Sequence, residues 1–134
     1  VLNEIDALVN INLETRMPKE NLTKLNIVRV GTSGSLQKDI PVDSMVLSSH
    51  GLDLNGLLHS YQIDKITHPE IENAFVKHTN WSSKKAFPLI ISNSEELANK
   101  LKSDSVFEGI TATAGGFYGP QGRVLRLGLQ DADA

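Results

Sequence analysis

Phe87-Pro88-Leu89-Ile90-Ile91-Ser92-Asn93-Ser94-Glu95-Glu96-Leu97-Ala98-Asn99-Lys100-Leu101 holds the alternation that decides the fold. Its first six residues form a compact apolar run with the length and composition of a buried strand. Asn93, with Glu96 three residues on, is a helix-start signature, and Leu97, Ala98 and Leu101 then share one helical face. Residues 106–114 return to strand character. Towards the N terminus, Thr67 and Glu70 make a second capping pair, and Ile71, Ala74, Phe75 and His78 share a face of a helix ending near Asn80. Ser44 to Ser49 reads as a strand, followed by a long polar segment through Tyr61. Leu25-Asn26-Ile27-Val28-Arg29-Val30 reads as a short β-branched strand. Val1, Ile5, Leu8 and Val9 fall on one face of a helix over residues 1 to about 12, and Pro18 separates it from that strand. Val124 to Leu129 alternates weakly. Helices interleaved with buried strands define an α/β layered fold. No repeat, low-complexity block or interdomain linker interrupts it, so a single α/β domain is expected over 1–134.

The bulk composition narrows the function. The 134 residues suffice for one domain with a real core, and 40% hydrophobic with 22% charged residues is ordinary for a soluble globular chain. A net charge of -3 argues against a nucleic-acid binder, which shows a basic stripe. The absence of cysteine excludes disulfides and thiolate metal sites and agrees with a cytoplasmic location. No apolar run approaches the roughly 20 residues that span a bilayer, and no signal peptide is recognisable. Asn21-Leu22-Thr23 and Asn80-Trp81-Ser82 match the glycosylation sequon, but without a secretory context both are read as chance.

Two stretches carry chemistry. Phe117-Tyr118-Gly119-Pro120-Gln121-Gly122-Arg123 places an aromatic face, an amide and a guanidinium in one turn marked by Gly-Pro. The ring offers stacking area, Gln121 a donor and an acceptor, and Arg123 a fork of donors, a set able to read the edge of a uracil ring. Taken alone, the same inventory also fits an ordinary turn. The second stretch is Gly31-Thr32-Ser33-Gly34, directly after the strand that carries Arg29. Close backbone amides, two hydroxyls and a nearby guanidinium are the parts of an oxyanion site. The spacing is neither that of a P-loop nor that of the dinucleotide fingerprint.

Together the two stretches resemble motifs of the nucleoside phosphorylases, most closely the uridine phosphorylases. Arg-x-Gly-Thr-(Ser/Thr)-Gly after a strand is similar to the family's phosphate loop. Phe-Tyr-x-Gly-Gln-x-Arg, after a Thr/Ala-rich strand such as Gly109-Ile110-Thr111-Ala112-Thr113-Ala114-Gly115-Gly116, is similar to its pyrimidine-reading loop. Residues 40–47 and Asp53-Leu54-Asn55-Gly56 are also similar to the family. Here Pro120, rather than the usual Gly, immediately precedes the Gln.

The resemblance implies a three-layer α/β/α sandwich and phosphorolysis of uridine by inorganic phosphate, giving uracil and ribose 1-phosphate in nucleoside salvage. It also implies the site. Arg29, Gly31 and Thr32 would bind phosphate, with Arg29 and Thr32 the catalytic pair, while Ser33, Phe117, Gln121 and Arg123 would bind the nucleoside. No metal or organic cofactor is implied, since phosphate is a co-substrate. The implied partners are small molecules and other copies of the chain, as a dimer or a hexamer of dimers, with no nucleic acid and no membrane. Family members carry a further Gly-rich phosphate loop upstream and a Glu-Met-Glu-like ribose clamp downstream. Neither is among these residues, where Asp131 and Asp133 are the only carboxylates after the base loop. The chain is therefore expected to be a partial segment, inactive by itself. Two alternatives stay open: a non-catalytic nucleoside-binding or oligomerisation fragment, and a purine nucleoside phosphorylase.

Other constellations are weaker. His50, His59, His68 and His78 form no His-x3-His pair and have no cysteine beside them, so surface or structural roles are expected. Asp53-Leu54-Asn55-Gly56 lacks the alternating ligands and closing Glu of a calcium loop. The hydroxyls at 32 and 33 lack the Gly-x-Ser-x-Gly spacing of a hydrolase nucleophile. Lys84-Lys85 beside Trp81 is read as a solvated surface.

Overall fold

The computed structural model describes residues 1–129; Asp131 and Asp133 lie outside them. The chain divides into two compact units, Val1–Leu36 and Gln37–Ala134.

In the first unit, helix α1 spans Leu2–Asn10. The buried residue of α1 is polar. Asn10 donates through Nδ2 to Asp6 (2.6 Å) and to the Thr23 carbonyl (3.1 Å), and its Oδ1 accepts from the Thr23 amide (2.7 Å). That clamp, with the Ile11–Pro18 bridge and Lys19 Nζ on the Val9 carbonyl at 2.7 Å, closes the turn after the helix. The apolar positions Val1, Leu2 and Leu8 stay exposed. The expected strand at 25–30 does not form, and Ile27, Val28 and Val30 are exposed. β-branched composition gives a strand only where a neighbouring ladder takes its amides and carbonyls, and none does so there among the described residues.

The second unit is built on a three-stranded mixed sheet in the order β2-β1-β3: β1 Met45–Asp53, β2 Leu89–Ser92 and β3 Val106–Thr113. β1 runs antiparallel to β2 and parallel to β3, with a register shift between Ser48 and His50. Helices α2, Pro69–Thr79, and α3, Glu95–Leu101, pack against β2 and β1 respectively. Leu52, Leu54 and Ile90 form the core, with Phe75 and Trp81 against them. This is the α/β class expected, in a smaller arrangement than the full α/β/α sandwich that the resemblance implies.

Several expected boundaries move, each for a local reason. β1 runs four residues past Ser49, because residues 50–53 pair with β2 on one side and β3 on the other. Its polar residues are used inside the sheet: Ser48 bonds Thr111, and Ser49 Oγ donates to the Gly109 carbonyl at 3.1 Å. The N-cap position of α2 is His68 rather than Thr67, without a side-chain cap, with Pro69 in the first turn and Thr67 engaged in a bridge with Ile91. Its buried residue is Glu72, whereas Ile71, Ala74 and His78 face out. Asn80, at φ 51°, closes it in the left-handed region. Ser94 rather than Asn93 caps α3, accepting from the Leu97 amide at 3.5 Å. Asn93 is committed elsewhere: its amide donates to the Ser49 carbonyl and its Nδ2 to the Ser48 carbonyl, both at 2.9 Å. β2 begins at Leu89, after the fully buried Pro88, which has no N–H for a ladder. Residues 124–129 form no strand, and Val124, Leu125 and Leu127 are exposed.

Candidate functional site

The phosphate-loop residues belong to the first unit. Arg29, Gly31, Thr32 and Ser33 lie on an exposed, irregular run. Within it the Arg29 guanidinium folds back over Gly31: a Cβ built on Gly31 would stand 3.0–3.2 Å from Nη1, Cζ and Nη2. The missing side chain is what admits the guanidinium so close to the backbone, and a cation beside exposed amides and a hydroxyl suits an oxyanion.

The base-loop residues belong to the second unit. β3 delivers them, and they follow its last residue, Thr113, through the glycines at 115 and 116. Residues Gly119–Gln121 form one turn of 3₁₀ helix with Pro120 inside it. The Tyr118 carbonyl accepts from the amides of Gln121 (3.0 Å) and Arg123 (2.9 Å). Gly122, at φ 70°, ends the turn in the left-handed region, which lets the chain reverse and bring Arg123 back. The Arg123 guanidinium stands 5.7 Å from the Phe117 ring centroid, a cation over an aromatic face. Phe117 is exposed and Gln121 half-buried, so ring, amide and guanidinium share one compact turn. Gly116 completes it, since a Cβ there would meet Pro120 Cγ at 3.2 Å.

Elsewhere, His50 and His68 meet edge to face with centroids 5.2 Å apart, and His68 Nε2 lies 2.7 Å from Ser92 Oγ. His59 Nε2 lies 2.8 Å from the Phe87 carbonyl. Among the described residues no three His, Cys, Asp or Glu side chains gather to hold a metal ion. Lys85 sits 4.7 Å over the Trp81 ring, whose Nε1 donates to the Ala86 carbonyl at 2.9 Å. A shallow open depression in the first unit, lined by Asn12, Thr15, Pro18, Lys19, Glu20 and Asn21, contains none of the candidate residues. Among the described residues no helix is long and apolar enough to cross a membrane.

One residue of interest was not among the expected site residues. Asp53 is buried at the end of β1, and its carboxyl oxygens accept from the amides of Asn55 (3.0 Å) and Leu58 (2.8 Å). The Asp-x-Asn-Gly pattern is the signal that could have found it, because Asp and Asn side chains hold the backbone two residues on.

No curated protein and no solved structure matches the chain significantly. The sequence profile of the phosphorylase superfamily matches residues 14–134, a span holding both the glycine-hydroxyl loop and the Phe117–Arg123 turn. Family membership points to nucleoside phosphorylase activity, a pentosyl transfer, and leaves the choice between uridine and purine nucleosides undetermined. A match over nine-tenths of the sequence, with an α/β unit to go with it, decides the question of kinship: this chain belongs to the phosphorylase superfamily.

Proposed function

We propose that the chain serves the phosphorolysis of uridine, a pyrimidine nucleoside, to uracil and ribose 1-phosphate. The observation that carries this reading is the turn that holds Phe117, Gln121 and Arg123 together, with two amides on the Tyr118 carbonyl. Uracil presents two carbonyl acceptors flanking one N–H donor. Arg123 supplies donors, Gln121 a donor and an acceptor, and Phe117 an apolar face.

In this reaction a phosphate oxygen forms a bond to C1′ as the bond from C1′ to N1 of the base breaks. The bonding pair leaves with uracil, and positive charge builds on the sugar. Arg29, the Gly31 amide region and the Thr32 hydroxyl hold the phosphate, and Ser33 lies towards the sugar. Arg123 and Gln121 stabilise the negative charge that develops on the leaving base. The same reading needs no metal or organic cofactor, has small-molecule partners and a homo-oligomeric assembly, and places the protein in the cytoplasm.

The test is a panel of uridine, deoxyuridine, thymidine, cytidine and inosine. Binding is measured by calorimetry, and release of free base is measured with phosphate present. Uridine preferred over cytidine and inosine is the expected result. Preference for inosine would establish a purine nucleoside phosphorylase instead, and affinity for no nucleoside would overturn the base-reading role.

A further inference from the structure

We infer that Asp53 is a positioning residue for the base loop: its carboxyl fixes the turn whose first residue is bonded to the strand end from which that loop departs. The functional part of this inference builds on the uridine reading above, whereas its geometric part does not. β1 and β3 end side by side, with Asp53 paired to Thr113, and the Leu54 amide extends the ladder by donating to the Thr113 carbonyl at 3.1 Å. Both chains leave the sheet at that end, one into the 54–58 turn and the other into the base loop.

Asp53 then commits both carboxyl oxygens to the first of these. Oδ1 takes the Asn55 amide at 3.0 Å and Oδ2 the Leu58 amide at 2.8 Å, while Asn55 Oδ1 takes the Leu57 amide at 3.1 Å. The turn is also tied at its far side, where His59 Nε2 lies 2.8 Å from the Phe87 carbonyl. Its near side faces the base loop. A Cβ built on Gly115 would stand 3.6 Å from Asn55 Cβ, so the bare Gly115 backbone lies about one methyl group's width from contact with the turn. Gly116 follows, against Pro120, and Gln121 is the next residue. A two-glycine stem has little stiffness of its own. Its rigidity is borrowed from the 54–58 turn, and that turn is held by a buried carboxyl whose two acceptors are both used.

Amide hydrogen exchange and binding by the intact chain test this. Asp53→Ala is expected to speed exchange over residues 114–122 by about tenfold or more, because two hydrogen bonds to one carboxyl are lost. Exchange in α2 should change by less than about twofold, as expected of local rather than global opening. Uridine affinity should fall by about tenfold, with phosphate affinity within about twofold. Asp53→Asn keeps one acceptor and should give an intermediate result. Asn55→Gly leaves the Asp53 carboxyl in place but removes both the Cβ that faces Gly115 and the acceptor of the Leu57 amide, and should also speed exchange over 114–122. Unchanged exchange at 114–122 in all three variants overturns the inference, as does a uniform acceleration through the whole second unit. Faster loop exchange in a parent protein that binds no uridine supports the positioning role and removes the uridine reading.

Discussion

Replacing Glu72 is the sharpest test of how the second unit is held together. Its side chain is 3% exposed, and Oε1 accepts from the Ile90 amide at 2.8 Å and from the His68 amide at 3.4 Å. One carboxyl oxygen therefore closes the start of α2 and takes an amide from β2, whose Ile90 is the most deeply buried core residue at 1% exposure. Glu72→Leu keeps a side chain there and removes the acceptor, leaving the Ile90 N–H without a partner where water does not reach it. That costs about 2–3 kcal/mol, a factor of roughly 30–150 in the folding equilibrium. Glu72→Gln keeps a carbonyl oxygen at the same place and should cost about 1 kcal/mol or less. Urea unfolding followed by the fluorescence of Trp81, the single tryptophan, reads this directly because that ring packs on the core. The Leu variant's midpoint should fall by on the order of 1 M at unchanged slope, and exchange of the Ile90 amide should accelerate with it. A Leu variant within about 0.5 kcal/mol of the parent would refute the reasoning, since an orphaned buried donor cannot cost so little.

Three other outcomes are expected. Arg29→Ala should weaken phosphate binding by at least about tenfold in calorimetry and leave the circular dichroism unchanged, because the guanidinium lies on an exposed run. In the intact protein, Gln121→Leu and Arg123→Leu should each lower uridine turnover by at least about two orders of magnitude and spare phosphate affinity; near-native turnover in either would remove the base-reading assignment. Gly56→Ala should destabilise the second unit by about 2 kcal/mol or more in thermal unfolding, because Gly56 sits at φ 81° and a Cβ there would come within 2.6 Å of Ala86 Cβ.

The α/β class was readable because its signals are local. The apolar run within 87–92, the polar start of α3 (placed one residue early, at Asn93) and the run at 106–113 each specify their own structure. The turn at 119–121 was readable too, since Gly and Pro restrict the backbone wherever they occur. What escaped depends on partners distant in sequence. The outer half of β1 looks polar, and only its neighbours on both sides make it a strand. Glu72 reads as a solvent residue until β2 presents it with an amide. Residues 25–30 have the composition of a strand and lack the ladder, so the glycine-hydroxyl loop at 31–34 follows an irregular run. Asp53 is the same lesson within the candidate site, for the strand end it closes is paired with Thr113, sixty residues away.

The parallel pairing of β1 with β3 also bears on how the protein is made. Met45 meets Val106 and Asp53 meets Thr113, so the central strand leaves the ribosome about 60 residues before the partner that completes it. At roughly 5–20 residues per second, that is a wait of about 3–12 seconds with one edge unpaired. During that interval β1 offers a row of free amides and carbonyls to any extended chain nearby. Its serines and histidine at 48–50 make that open edge poorly apolar, which limits how strongly a wrong partner can be held. A nascent chain halted before Val106 would keep that edge open for good.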